Sequence, residues 1–147
     1  MPLHKILNIG DRIPDFELQD QHGQCVKRID FEGKPLVIFF YPKDHTPGCT
    51  AEACSFRDYE SEFQAAGAQV IGINDAEVSM HKSFADKYGL SYPVLSDPGH
   101  LVRKSFGAPD CFLILLQIEL PMSRMVLIKW RIFSKVYFGR MIMYQKA

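Results

Sequence analysis

Two cysteines five residues apart, Cys49 and Cys54, are the side chains best placed to do chemistry in this sequence. They lie in Pro42-Lys43-Asp44-His45-Thr46-Pro47-Gly48-Cys49-Thr50-Ala51-Glu52-Ala53-Cys54, between a strand-like run and a helix-like one. A thiol at a helix start meets unpaired backbone N–H groups and the positive end of the helix dipole, which favour the thiolate. The same groups suit an incoming anion or developing negative charge. On a regular helix an i, i+5 pair stands roughly 8–9 Å apart at Cα, beyond the about 7 Å that a disulfide tolerates. If the two thiols cooperate, the first helical turns must unwind; if they do not, Cys54 is a core residue of the helix.

The neighbouring elements must hold that loop in place. Leu36-Val37-Ile38-Phe39-Phe40-Tyr41, opened by Gly33-Lys34-Pro35 and ended by Pro42, has the continuous apolar character of a central strand buried on both faces. Phe16–Leu18 and Gln24–Arg28 flank the turn-forming Asp20-Gln21-His22-Gly23 and predict a hairpin. A helix is predicted over Thr50–Ala66 with Gly67 as its C-cap, then a strand at Ala68–Ile73. A helix at Glu77–Tyr88 closed by Gly89, a strand at Tyr92–Leu95 and a helix at Pro98–Phe106 follow. Alternation of this kind implies an α/β fold around a mostly parallel sheet. Ligands in such sheets gather at the carboxyl ends of the strands, which is where Cys49 falls.

Pro42-x-x-x-Thr46-x-x-Cys49 after a strand resembles the active-site signature of the peroxiredoxins. The Cys-x4-Cys spacing and the stretch FYPKDHTPGCTAEACSFRD resemble the PrxQ, or bacterioferritin comigratory protein, branch. The likeness covers about residues 5–110, including GDRIPDFELQDQHG and YPVLSDPGH. It implies a thioredoxin-like fold and a thiol peroxidase acting on hydrogen and alkyl hydroperoxides. In that scheme Cys49 attacks the peroxide, Thr46 hydrogen-bonds peroxide or thiolate, and Pro42 shields the pocket. Cys54 resolves the sulfenic acid as an intramolecular disulfide, and a thioredoxin-type donor reduces it. No metal, haem or flavin is implied, and a monomer is expected. The alternatives are a thiol–disulfide oxidoreductase and a catalytically impaired relative or redox sensor.

The remaining candidates have plainer expected roles. His45 reads as solvated, Glu52 as a charge favouring the helix N-terminus, and Lys43 and Arg57 as surface cations near Cys49. Cys25 and Cys111 read as ordinary free thiols. Zinc is not expected, because Cys-x2-Cys spacing is absent.

Composition bounds the class. The 147 residues suit one domain; 17 Lys+Arg balance 17 Asp+Glu, which argues against a nucleic-acid binder. The longest apolar runs, six residues each at Leu36–Tyr41 and Cys111–Leu116, are far shorter than the roughly 18–20 residues of a membrane span. The N-terminus shows no secretory signal pattern, and four cysteines suit a reducing compartment, so a cytoplasmic location is expected.

These averages conceal a break. Residues 1–110 carry 11 Lys+Arg and 16 Asp+Glu, whereas 111–147 carry 6 Lys+Arg, a single acid in Glu119 and four of the six methionines. The first stretch reads as the thioredoxin-like peroxiredoxin domain and the second as an atypical apolar, basic tail. Phe112–Leu116 and Met125–Phe133 have strand-like composition, but turn signals are scarce. The PrxQ pattern continues into a strand carrying an arginine that polarises the peroxide. Here the corresponding place reads Gln117-Ile118-Glu119-Leu120-Pro121-Met122, and Arg124, Arg131 and Arg140 are the candidates to replace the missing arginine. Such a tail implies an incomplete sheet edge, with low stability or aggregation.

One of the possible codon spellings of that hexapeptide, CAA ATC GAG TTA CCT ATG, gives Asn-Arg-Val-Thr-Tyr when read in a shifted frame. Residues from about Cys111 onward are therefore expected to come largely from a shifted frame. Sequencing the gene checks this; codons that yield no such strand in another frame would refute it.

Overall fold

A computed structural model describes residues 13–108 and the strand Phe112–Leu116. Its centre is the predicted apolar run. Strand β3, Leu36–Phe40, is buried at every position, because the strand pleat sends alternate residues into two different cores. Leu36, Ile38 and Phe40 join Ile13, Phe16, Phe31, Ile71, Ile73, Leu95 and Phe106 on one face. Val37, Phe39 and Tyr41 join Cys49, Ala53, Phe56, Phe63, Phe84 and Tyr92 on the other.

Among the described residues the sheet around β3 has six strands, in the order β2-β1-β5-β4-β3-β6. Strands β1 (Glu17–Gln19) and β2 (Cys25–Lys27) form the predicted hairpin. Asp20 fixes its turn by accepting the backbone N–H groups of His22 and Gln24 at 2.8 and 2.9 Å. Strands β4 (Gln69–Asn74) and β5 (Val94–Ser96) run parallel to β3 and to each other. The outer strands run antiparallel, so only the middle of the sheet is parallel.

Helices α1 (Pro47–Asp58) and α2 (Glu60–Ala65) connect β3 to β4, and α3 (Val78–Tyr88) connects β4 to β5. All three lie on one face of the sheet, as crossovers of one hand between neighbouring strands require. The sequence predicts one helix over Thr50–Ala66. The structure starts it three residues earlier, because Pro47 occupies the first helical position, where a missing N–H costs nothing. It also breaks at Tyr59, whose ψ of 10° leaves the helical range, with Phe63 beyond the break packed against Phe56. Gly89 ends α3 in the left-handed conformation (φ 64°), as predicted.

The last predicted helix is split into a 3-10 turn at Pro98–His100 and a short α4, Leu101–Ser105. A second 3-10 turn, Arg28–Phe31, was not foreseen, although it delivers the buried Phe31 to the core. On its other side β3 is covered by the strand-like run that opens the tail. Strand β6, Phe112–Leu116, pairs antiparallel with all five residues of β3, from Leu36 opposite Leu116 to Phe40 opposite Phe112. The strand-like segment Met125–Phe133 lies outside the described residues.

Gly72 in β4 marks the tightest packing. A Cβ there would stand 2.7 Å from the ring of Phe39, which is itself stacked on Phe56 at 4.6 Å and on Tyr41 at 5.2 Å. With rings on both sides the side chain cannot swing away. Gly72→Ala is expected to destabilise the fold by about 1–3 kcal/mol, read from urea unfolding. A change below about 0.5 kcal/mol would show that the ring stack yields.

Candidate active site

The carboxyl ends of β3, β4 and β5 meet at one edge of the sheet, and the loop leaving β3 runs across them. Tyr41 N–H donates to the Ile73 carbonyl at 3.3 Å, carrying the ladder one residue beyond β3. Pro42 and Lys43 are then exposed, and Asp44 turns inward. Thr46 caps α1 in an extended conformation, and its carbonyl accepts the Thr50 N–H at 2.8 Å to close the first turn. Cys49 sits in that turn, 6% exposed, among the apolar side chains between helix and sheet. The predicted position at a helix start after the central strand is therefore the one observed.

Cys54 lies further along the same helix, half-buried. Both cysteines are free thiols, and α1 is continuous between them. The Tyr92 hydroxyl donates to the Ala53 carbonyl at 2.7 Å, fixing the turn just before Cys54. The Thr46 hydroxyl donates to the Lys43 carbonyl at 3.2 Å and makes no capping bond to α1. With its proton so used, its oxygen keeps lone pairs that can accept a further hydrogen bond. Pro42, expected to shield the pocket, is itself exposed.

Three neighbours differ from their expected roles. Glu52, expected as a charge favouring the helix N-terminus, is 8% exposed, and burial pushes its carboxyl up to about 7. His45 has an exposed side chain, yet its ring stands edge-on to Phe84 at 5.2 Å and lies 6.2 Å from Tyr88. Arg57 donates to the Tyr88 carbonyl at 2.5 Å and to Asp58, tying α1 to the end of α3. Cys25 is exposed, and a hydrogen bond to the Glu17 carboxylate raises its thiol, as suits a bystander. Cys111, Gln117–Met122, Arg124, Arg131 and Arg140 lie outside the described residues. Among the described residues no group of three or more His, Cys, Asp or Glu could hold a metal ion.

Sequence reasoning missed a buried polar cluster under the loop. Asp44 accepts the Tyr41 hydroxyl at 2.6 Å and the Asn74 amide at 2.9 Å on one oxygen, and meets His81 Nδ1 at 2.7 Å on the other. His81 is fully buried, and its Nε2 donates to the Leu95 carbonyl at 3.1 Å. Burial raises the Asp44 carboxyl, but hydrogen bonds from His81, Tyr41 and Asn74 outweigh that and hold it below the ordinary carboxylate value. A signal was present, since His81 shares a helical face with Phe84, Ala85 and Tyr88.

The chain matches the AhpC/TSA family over residues 9–119. It is 52% identical over 100 residues to peroxiredoxin Q, chloroplastic, of Gentiana triflora, covering 68% of this chain and 46% of that protein. The chain thus spans about half the length of the curated relatives it matches. Among solved structures it resembles a mutant of Xanthomonas campestris peroxiredoxin Q, with a TM-score of 0.73 and 30% identity over 81% of this chain and 82% of that one. It also resembles peroxidoxin BcpB of Mycobacterium tuberculosis, with a TM-score of 0.66 and 35% identity over 84% and 75%. The expected cytoplasmic location is overturned by relatives named chloroplastic; the pattern used to infer it says nothing of plastids.

Glu52 carries a consequence for stability. Its folded carboxyl titrates near 7 against an ordinary 4.5, so between those values the folded chain holds a proton that the unfolded chain has lost. This contribution is complete below about pH 4.5, falls as pH rises, and is gone above about pH 7. Glu52→Gln is expected to remove the decline, measured by urea unfolding at about pH 5 and about pH 8. An unchanged decline in the variant would assign it to another group.

Proposed function

The chain belongs to the AhpC/TSA family, in its peroxiredoxin Q branch, and from that premise we propose that it is a thiol peroxidase using Cys49 and Cys54. The observation that carries this reading is Cys49, nearly buried in the first turn of α1 at the carboxyl end of the sheet. The helix start supplies N–H groups and a dipole for a thiolate and for the charge that develops during attack.

The Cys49 thiolate attacks the terminal oxygen of a hydroperoxide. An S–O bond forms, the O–O bond breaks, and the remaining oxygen leaves as alcohol or water once protonated. Sulfur is thereby oxidised to the sulfenic acid. The Thr46 oxygen accepts a hydrogen bond from the peroxide O–H, and Pro42 limits water at the mouth once substrate is seated. The Cys54 thiol then displaces hydroxide from the sulfenic sulfur, closing an S–S bond and releasing water. A dithiol donor of the thioredoxin type reduces that bond by exchange.

Resolution requires α1 to open between the two thiols. Two features of its first turn suit that: Gly48 is a poor helix former, and Thr46 spends its hydroxyl on Lys43 instead of the helix. Because one chain carries both cysteines, a monomer suffices. The plastid is the proposed compartment, by likeness to the relatives named chloroplastic. The second reading, an impaired peroxidase or slow redox sensor, is favoured by the lack of an arginine in residues 117–122.

Single-turnover oxidation of the reduced protein by hydrogen peroxide decides between the readings. The peroxidase is expected to react at least about a hundredfold faster than a free thiol, ~2.7 kcal/mol of barrier. Cys49→Ser should abolish the reaction. Cys54→Ser should keep the first oxidation and, given a second equivalent of peroxide, go on to sulfinic acid. A wild-type rate no faster than a free thiol favours the impaired relative, and faster attack on disulfides than on peroxide favours a thiol–disulfide oxidoreductase.

A further inference from the structure

We propose that one face of α3 is a clamp that sets the position of Cys49 by gripping the two loop residues Asp44 and His45, with Asp44 as the positioning residue. The inference rests on Cys49 being the reacting thiol. His81, Phe84 and Tyr88 are spaced i, i+3 and i+7 along α3 and therefore share a face. His81 takes the Asp44 carboxylate at 2.7 Å, and Phe84 and Tyr88 meet the His45 ring. Two consecutive loop residues are thus held by one rigid element.

The grip is anchored to the sheet on three sides. Asn74 at the end of β4 and Tyr41 just beyond β3 both donate to Asp44, while His81 donates onward to the Leu95 carbonyl of β5. A carbonyl only accepts, so Nε2 of His81 carries a proton, and the Asp44–His81 contact shares one more. The carboxylate is 5% exposed and the imidazole fully buried, so water does not replace any of these bonds. Removing one partner would leave the other as an unmatched polar group in the interior.

His45 shows the constraint that results. Its φ of 63° is a left-handed conformation that costs a non-glycine residue free energy. The loop holds it there with Asp44 fixed on one side and, on the other, Thr46, whose carbonyl closes the first turn of α1. Between these fixed points and Cys49 lie only Pro47 and Gly48, so the thiol has little freedom relative to the sheet.

The test uses the reduced full chain and the variants Asp44→Asn and His45→Gly. Three quantities are followed: peroxide oxidation of Cys49 in a single turnover, iodoacetamide alkylation of the Cys49 peptide, and amide exchange at Thr50 against Ile71. Asp44→Asn is expected to slow oxidation at least about tenfold, to raise alkylation of the normally buried thiol, and to speed exchange at Thr50 while Ile71 is unchanged. His45→Gly relieves the left-handed strain yet removes the ring contacts, so it should move the same readouts in the same directions by less. It decides the matter if Asp44→Asn does not fold.

Values within about twofold of wild type in all three readouts would overturn the clamp. So would exchange that speeds equally at Ile71, because Asp44 would then be a general stabiliser. If wild type oxidises no faster than a free thiol, the peroxidase reading falls, while alkylation and exchange still decide the clamp.

Discussion

The Asp44 carboxylate is the point at which the sheet, the helix layer and the reactive loop are fastened together. It receives hydrogen bonds from Tyr41, Asn74 and His81, which come from the end of β3, the end of β4 and the middle of α3. A buried charge is costly unless every lone pair is engaged, and here the engagement is met by groups far apart in sequence. The cluster can therefore exist only when the parallel strands and α3 are already in place. Folding of the scaffold and ordering of the loop become a single event.

That dependence explains why β3 must be apolar on both faces. One face builds the core with Phe16, Phe31 and Phe106, which seats the hairpin and α4. The other builds the aromatic layer of Phe39, Phe56, Phe84 and Tyr92 on which α1 and α3 rest. The separation between α1 and α3 is fixed by those rings, and through it the approach of His81 to Asp44. Gly72 belongs to the same chain of constraint, since its missing side chain makes room for Phe39.

Much of this was legible in the residues. The strand at Leu36–Phe40, the glycine stop of α3 and the placement of Cys49 follow from local rules of periodicity, capping and strand-to-helix connection. The motif around Cys49 also pointed to the family that the comparisons show. The break at Tyr59 and the inward turn of Glu52 were not legible, because both depend on what the helix packs against. The Asp44–His81 pair was hidden for a different reason. Its partners are 37 residues apart, and neither an aspartate in a loop nor a histidine on a helix announces a long-range bond.

Strand β6 is joined to β3 along its whole length by main-chain pairing. Amide and carbonyl groups are common to every residue but proline, so what this edge asks of a sequence is a short run of β-formers rather than particular side chains. An edge position is thus the most permissive place in such a sheet for the coding text to change. A segment whose charge and composition depart sharply from the preceding residues can still complete the sheet's outline. What β6 contributes to the sheet is therefore an outline written in main-chain bonds, indifferent to the side chains that carry it.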